Sequence, residues 1–277
     1  MTDIPSACYL PTGERGAHGG EVFEATRLAA AEWYPDGQHG GVVAALLARA
    51  VEVRPSLAEM EVARITCELF RVVPVTRLEV VTELVREGKR IQTTEVRLMD
   101  GGLEVARALV QRLRVATLDF PEATSEQIHQ PTDPLTVDEV PFTALMPFPP
   151  DGPVSFGRHA VRIRQVEGTF SEPGPATVWL AFDAELVAGE PMSPTQRAVI
   201  ASDFSNGLSR MAQPWEVVFM NSDLSVHLAR PPVGEWVALD GESIWNPDGR
   251  GVATSHLFDA RGPIGRATQT LFLGQPG

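Results

Sequence analysis

One carboxylate in this sequence stands where burial is expected, and its presence there suggests chemistry. Asp203 lies in the stretch RAVIASDFSNGLS, residues 197–209, in which six residues are alanine, valine, isoleucine, phenylalanine or leucine. Burying an ion that has no partner costs several kcal/mol. Asp203 is therefore expected to be a helix cap, part of a structural ion pair, or a group that activates a nucleophile.

A second stretch with catalytic potential is QHGGVV, where two glycines open an apolar run. The first N–H groups of a helix have no intrahelical partner and lie at the positive end of the helix dipole. Gly40 and Gly41 could therefore donate to an oxyanion, or they could only allow a tight loop before a helix. His39 could orient this loop, although a lone histidine is more often structural, and it is not predicted to be the base.

The elements that must position these residues form two similar series. The first is a helix over 39–53 and then β-like runs bounded by Pro74, EGK and DGG, all of which favour turns. These runs are 62–73, 75–87, 90–100 and 103–115. The second series comprises strands at 154–166 and 176–187, a helix at 194–210, and strands at 217–229, 235–246, 250–259 and 263–273.

The two series match at a constant spacing. Three pairs of landmark residues are each 159 positions apart, namely Arg71 and Arg230, Asp100 and Asp259, and Arg107 and Arg266. These ungapped matches predict a tandem duplication of one helix and one antiparallel sheet. We therefore divide the chain into a first unit over 1–115, a linker over 116–153 that is rich in proline and acidic residues, and a second unit over 154–277.

The second unit also contains ordered motifs that resemble a known family. ASDF, NSDLSVHLARPPVGEWVALD and GRGVATSHLFDARGPIGRATQTLFL follow one another as they do in the acyl-CoA thioesterase II-like family. The resemblance covers nearly the whole chain. It implies an α+β fold, the tandem or double hotdog, in which each half is a long helix wrapped by a curved antiparallel sheet and the two sheets join into one. It also implies hydrolysis of a fatty or related acyl-CoA to the free acid and CoA.

The resemblance further implies which residues perform the reaction. In such thioesterases a water molecule is the nucleophile, and it is held by an Asp, a Thr-, Ser- or Asn-type residue and a Gln. The matching positions here are Asp203 in ASDF, Asn221 in MNSDL and Gln269 in ATQTL. Asn221 stands where better-studied members carry threonine, and the neighbouring Ser222 could take its role.

The polar residues implied by the resemblance occur in only one of the two repeats. Gln269 interrupts an otherwise apolar face of the last predicted strand. The corresponding residues of the first half are Val110 for Gln269, Val62 for Asn221 and, if the spacing holds through the helix, Ala44 for Asp203. A duplication that retained one active site is expected to show this asymmetry. Gly40 and Gly41 would then face Asp203 from the other half of the chain.

Composition narrows the possible partners. A net charge of −13 argues against a nucleic-acid surface and against a polybasic membrane patch. The two cysteines, Cys8 and Cys67, are too few for a four-cysteine metal site and are typical of a reducing compartment. No apolar run reaches the roughly 18–20 residues of a membrane span, and the first residues lack the core of a signal peptide. We expect a cytoplasmic protein that uses no metal or cofactor and takes acyl-CoA as its substrate.

Two other functions remain open at this stage. One is a hotdog protein that binds acyl-CoA or another acyl thioester without catalysis, which the asparagine at position 221 favours. The other is a hotdog dehydratase or hydratase, which needs a histidine paired with an aspartate, and only folding could bring His39 to Asp203. Hotdog proteins often pair further, so a homo-oligomer, a dimer or larger, is expected.

Overall fold

The computed structural model describes residues 4–34, 36–119, 131–145, 152–169 and 171–276. It contains few helices and one extensive sheet. The strands are β1 (Ala7–Arg15), β2 (Glu21–Ala25), β3 (Met60–Leu69), β4 (Arg77–Arg86), β5 (Ile91–Asp100), β6 (Leu103–Arg114), β7 (Glu139–Val140), β8 (Val161–Glu167), β9 (Ala176–Phe182), β10 (Glu185–Val187), β11 (Val218–Asn221), β12 (Asp223–Leu228), β13 (Val237–Asn246), β14 (Arg250–Asp259) and β15 (Gly262–Gly274). The helices are α1 (Gly40–Glu52), α2 (Phe142–Leu145), α3 (Phe156–Ala160), α4 (Pro194–Ser202) and α5 (Ser205–Leu208), with short 3₁₀ turns at Arg27–Ala29 and Pro134–Thr136.

All fifteen of the described strands lie in a single sheet. Their order is β10-β1-β2-β4-β5-β6-β3-β12-β15-β14-β13-β9-β8-β7, and β11 pairs with β15. Every pairing is antiparallel except that of β1 with β10. The predicted double hotdog with its two sheets joined into one is therefore confirmed.

The junction of the two half-sheets has local two-fold symmetry. Strands β3 and β12 run antiparallel, and Thr66 lies opposite Ser225. These two residues are themselves 159 positions apart, so each faces its own counterpart in the repeat. An approximate two-fold axis must pass between them, and it relates the two halves.

The repeat is also present in the hydrogen-bond register. In the β5–β6 hairpin, Leu98 pairs with Ala106 and the register then shifts. In the β14–β15 hairpin, Leu257 pairs with Gly265 and the register shifts at the corresponding place. Two hairpins that share a β-bulge at equivalent positions support the duplication inferred from the landmarks.

The central helices α1 and α4 pack against each other in the concave core of the sheet. Residues 41–51 of α1 are all buried, which fits their alanine, valine and leucine content. Each fully buried leucine, such as Leu46 or Leu47, contributes about 1.5–3 kcal/mol to folding. Helix α4 begins with a capping box in which Ser193 and Gln196 satisfy each other's backbone N–H groups, and Pro194 follows the cap.

Several elements differ from the sequence prediction. The helix predicted over 194–210 is interrupted at Asp203, and Ser202, Ser205 and Ser209 each donate a hydroxyl hydrogen bond to a preceding carbonyl around the break. Such local bonds compete with regular helix. The strand predicted over 154–166 begins instead with α3, and strands β1 and β2 were not predicted at all.

The division into two units and a linker stays a prediction. Much of the proposed linker lies outside the described residues. Within its described part, residues 139–140 form β7 and residues 142–145 form α2. The two proposed units also share a strand pairing, because β10 of the second pairs with β1 of the first.

Candidate active site

Asp203 sits at the C-terminal end of α4, where the helix closes tightly. The N–H of Asp203 donates to Ile200 O at 3.2 Å, and that of Phe204 donates to Ala201 O at 3.0 Å. These bonds to the third preceding residue tighten the last turn, a common helix ending. The tightened turn directs the Asp203 side chain into the protein, where it is 6% exposed. Asp203 is thus not the N-terminal cap of its own helix.

Four protein donors surround the Asp203 carboxylate. Oδ1 accepts from Asn221 Nδ2 at 2.8 Å and from Gln269 Nε2 at 3.0 Å. Oδ2 accepts from Gly41 N at 2.6 Å and lies 3.1 Å from His39 Nδ1. These contacts take the place of the water that would surround a free carboxylate, which explains how an ion is tolerated in an apolar wall.

The contact with Gly41 joins the two halves of the molecule. Asp203 accepts the N–H of the second residue of α1, 162 positions away, and so acts as a cap for the other central helix. The side chain of any other residue would prevent this approach, since a Cβ on Gly41 would lie 2.8 Å from Ile200 O. The Gly41 amide, expected as a free oxyanion donor, is therefore already bound to Asp203. The N–H of Gly40 has no hydrogen-bond partner among the described residues.

Folding brings His39 into contact with Asp203. His39 is the N-cap of α1 and is 1% exposed. Its Nδ1 lies 3.2 Å from Gly41 N and 3.1 Å from Asp203 Oδ2. The N–H of Gly41 is nearer to Asp203 than to His39, so we place the imidazole hydrogen on Nδ1, from which it also donates to Asp203. The ring of Phe204 packs beside the imidazole with centroids 4.7 Å apart.

Asn206 completes the cluster and was missed by sequence reasoning. Its N–H donates to Gln269 Oε1 at 3.1 Å, and its side-chain amide donates to Asn221 Oδ1 at 3.3 Å. Asn206 thereby fixes which end of each amide faces Asp203. The only signal in the sequence was its place three residues after Asp203 in ASDFSNG.

Two other sequence predictions about the site are wrong in this structure. Ser222, considered as a substitute for Asn221, is exposed, and its hydroxyl lies 3.5 Å from Thr270 O. Ala44 is not the counterpart of Asp203, because it lies in the middle of α1. The C-terminal cap of α1 is Val53, so the spacing of 159 does not extend through the helices.

Two family profiles match this chain. The acyl-CoA thioesterase N-terminal domain matches residues 29–113, and the acyl-CoA thioesterase C-terminal domain matches residues 137–273. The chain belongs to the acyl-CoA thioesterase family. The resemblance inferred from the motifs is thereby confirmed. No curated protein sequence is significantly similar to it.

Solved structures show the same fold at low sequence identity. A putative thioesterase II from Thermobifida fusca has a TM-score of 0.72 and 14% identity, over 99% of both chains. An acyl-CoA thioesterase II, TesB2, from Mycobacterium marinum has a TM-score of 0.63 and 14% identity, over 92% of both chains. A hot dog fold protein of unknown function from Alicyclobacillus acidocaldarius has a TM-score of 0.68 and 15% identity, over 92% of this chain and 94% of the other.

Two cavities meet at the polar cluster of this thioesterase family member. The smaller, of about 10 Å³, is lined by Trp33, His39, Phe142, Asp203, Phe204, Asn206 and Gly207. Its volume is near the lower limit for one water molecule. The larger, of about 290 Å³, shares Trp33, Asn206 and Gly207 with it and extends along β11. A water-sized space beside a carboxylate and an apolar space for a longer group therefore adjoin.

The opposite end of the α1–α4 pair also carries a carboxylate, but that carboxylate accepts hydrogen bonds from side chains. There Glu52, the last residue of α1, accepts from Ser193 Oγ at 2.9 Å and from Gln196 Nε2 at 2.8 Å at the start of α4. This junction is related by the local two-fold axis to the contact of Asp203 with Gly41. Polar groups therefore occur in both copies. Only the Asp203 junction carries the two strand amides, because the equivalent strand residues are Val62 and Val110.

The Cys67 thiol near the site is unsuited to act as a nucleophile. Burial raises the pKa of the Cys67 thiol, and the nearby Asp203 charge raises it further, so the thiol stays protonated. Among the described residues, no three His, Cys, Asp or Glu side chains cluster in a way that could hold a metal ion. In the same part of the chain, no helix is long and apolar enough to cross a membrane.

Proposed function

We propose that this protein hydrolyses acyl-CoA thioesters to the free acid and CoA, with a water molecule as the nucleophile. The observation that carries the proposal is the Asp203 carboxylate, which is fixed by its four contacts and lines the water-sized cavity. That cavity shares Trp33, Asn206 and Gly207 with the larger apolar one. Fixing the base and the water before reaction lowers the entropic part of the barrier. Membership of the family supports the same reaction class.

The proposed reaction proceeds in two stages. The water in the small cavity adds its oxygen to the thioester carbonyl carbon, and its proton passes to the Asp203–His39 pair. The carbonyl oxygen becomes an oxyanion near the Gly40 N–H, at the positive end of α1. The C–S bond then breaks, and the CoA thiolate leaves and takes up the proton. Asn221, Gln269 and Asn206 hold the carboxylate in place throughout.

The test of this mechanism is Asp203→Asn, which keeps the shape of the side chain and removes its charge. Free CoA release is followed with a thiol reagent over a panel of acyl-CoA substrates. Positioned acid–base groups contribute about 10²- to 10⁴-fold, so we expect turnover to fall by at least a hundredfold. Asp183→Asn, at an exposed acid that lies 3.6 Å from Arg162 and is not part of the cluster, is the matched control and should retain wild-type turnover.

Two outcomes would contradict the proposal. Undiminished CoA release by a folded Asp203→Asn variant would exclude Asp203 as the activating group. Thermal stabilisation of the wild-type protein by acyl-CoA with no thiol release from any substrate would instead support an acyl-thioester binding protein without catalysis.

A second candidate, a hydratase or dehydratase, is favoured by one contact. His39 Nδ1 and Asp203 Oδ2 lie 3.1 Å apart in one pocket, which supplies the His–Asp pair that this chemistry needs. Incubation with a conjugated enoyl thioester distinguishes the two functions. Loss of the enoyl absorbance without thiol release would support hydration, whereas thiol release supports hydrolysis.

A further inference from the structure

The larger cavity beside the cluster has a lining suited to an uncharged, apolar group. It has a volume of about 290 Å³, and the apolar and aromatic side chains that line it include Trp33, Tyr34, Val218, Phe219 and Met220. No aspartate, glutamate, lysine, arginine or histidine lines it. The charged nucleotide of CoA therefore has no partner there, whereas burial of a hydrocarbon is favourable.

The cavity ends at a wall of three side chains, Val217, Phe219 and Trp245. Val217 lines this cavity and also a second one of about 550 Å³ on the other side. Trp245 lines the second cavity, and its ring lies 5.3 Å from that of Phe219 between centroids. All three side chains pack on the small cluster of Ala253, Leu271 and Leu273. The wall therefore rests on strands rather than on a loop alone.

The wall lies between two spaces of unequal size. The cavity beside the cluster, of about 290 Å³, holds much more than one water molecule and reaches Val217. The second cavity, of about 550 Å³, is nearly twice as large and is also lined by Val217. Loss of the Val217 side chain would therefore join the smaller space to the larger one.

We infer that the cavity bounded by Asn206, Asn221 and this wall is the acyl site, and that Val217 with Phe219 and Trp245 limits the length of the acyl chain that the site accepts. The inference rests on the proposed function. The pantetheine arm of CoA is a poorer occupant, because its amides would need partners where the lining is hydrocarbon and aromatic.

The experiment measures kcat/KM for saturated acyl-CoA substrates from butanoyl to hexadecanoyl, below their micelle concentrations. Val217→Gly removes the shared side chain and should move the optimum to longer chains. Each newly buried methylene contributes about fourfold, so two more methylenes should raise the ratio of tetradecanoyl to octanoyl turnover about fifteenfold. Val217→Phe should move the optimum to shorter chains. Val115→Gly, at an exposed valine in the first half, is the control.

Each outcome bears on the inference separately from the proposed function. Wild-type hydrolysis with the same chain-length profile in both Val217 variants would overturn the inference and leave hydrolysis intact. An equal loss for every chain length would place the pantetheine arm in the cavity and would also overturn it. If no acyl-CoA is hydrolysed, calorimetric binding of free fatty acids of the same lengths measures the limit directly. If the longest fatty acid that binds is the same for Val217→Gly as for the wild type, this binding experiment would also overturn the inference.

Discussion

Asp203 ends one helix and caps another. A carboxylate is unfavourable at the C-terminus of its own helix α4 and favourable at the N-terminus of α1, where it accepts the Gly41 N–H at 2.6 Å. Neutral amides of Asn221 and Gln269 supply two further hydrogen bonds without adding a countercharge. The carboxylate is therefore held in place by dipoles, which is the arrangement that the proposed mechanism requires.

Gln269 offers a direct test of this arrangement. Gln269→Leu removes the donor to Asp203 and the acceptor for the Asn206 N–H, while keeping a similar volume on the buried strand face. A hydrogen bond to a charged group contributes about 1.5–3 kcal/mol, so we expect the free energy of unfolding to fall by that amount. Turnover should fall about tenfold to a hundredfold, because the carboxylate loses one of its positioning contacts.

The control for Gln269→Leu lies on the same strand. Thr268 points to the outer face of β15, so Thr268→Val should change neither turnover nor chemical denaturation appreciably. Wild-type turnover in a folded Gln269→Leu variant would show that the amide does not position Asp203.

At the scale of elements, the close contact of α1 with α4 depends on glycine. A Cβ on Gly41 would lie 2.9 Å from Asp203 Cβ and 2.8 Å from Ile200 O, and the second of these atoms belongs to the backbone of α4. Backbone cannot move aside as the end of a flexible side chain can. The two helices must therefore separate if a larger residue is introduced.

Gly41→Ala is accordingly expected to impair both stability and turnover. Overpacking of this kind costs about 1–3 kcal/mol, and the separation lengthens the bond from Gly41 N to Asp203. Thermal unfolding and CoA release on the same preparation measure the two effects. Gly102→Ala, at a turn glycine where a Cβ would meet nothing within 4 Å, is the matched control. Equal behaviour of both variants would contradict the helix-contact argument.

For the molecule as a whole, the duplication produced two junctions between α1 and α4, one at each end of the pair. Side-chain amides from the strands contact the carboxylate at only one of them. Glu52 accepts hydrogen bonds from the side chains of Ser193 and Gln196 at the start of α4, whereas Asp203 accepts a backbone N–H of α1. Each junction therefore carries a carboxylate, but only Asp203 caps a helix with it. The distinguishing features of the Asp203 junction are Asn221 and Gln269 on the strands behind it. Our expectation that polar groups would be confined to one copy therefore applies to the strands and not to the helix ends.

The two matching hairpins allow a comparison of stability. Arg230 donates two hydrogen bonds to Asp259, and the N–H groups of Val233 and Arg261 also donate to it. Burial opposes ionisation of Asp259, but these donors outweigh it and hold the pKa of the carboxyl below its ordinary value. Asp100, its counterpart in the first half, has no such ion pair among the described residues.

We therefore expect Asp259 to stabilise the fold in a pH-dependent manner. A pKa that is lower in the folded state stabilises above the unfolded value of about 3.9 and is lost as pH falls through the folded value. The free energy of unfolding should thus decline less steeply below about pH 4 in Asp259→Asn than in the wild type. Asp100→Asn should follow the wild-type slope. Parallel slopes for all three proteins in urea unfolding between pH 7 and pH 3 would refute the assignment.

The sequence by itself determined the repeat, most of the strands within it and part of the site. Turn chemistry at DGG and DARG, and apolar alternation in the runs between, are local signals, so the strands β3–β6 and β12–β15 could be located and superposed at one spacing. The resemblance then identified Asp203, Asn221 and Gln269, and the structure brings these three side chains together.

Only the tertiary structure decided how these residues are used. The break at Asp203, the use of the Gly41 N–H, the contact with His39 and the role of Asn206 all depend on how closely α1 and α4 approach each other. The closest of these contacts joins residues 162 positions apart. No local pattern encodes such an approach, because it results from the packing of two helices inside one shared sheet.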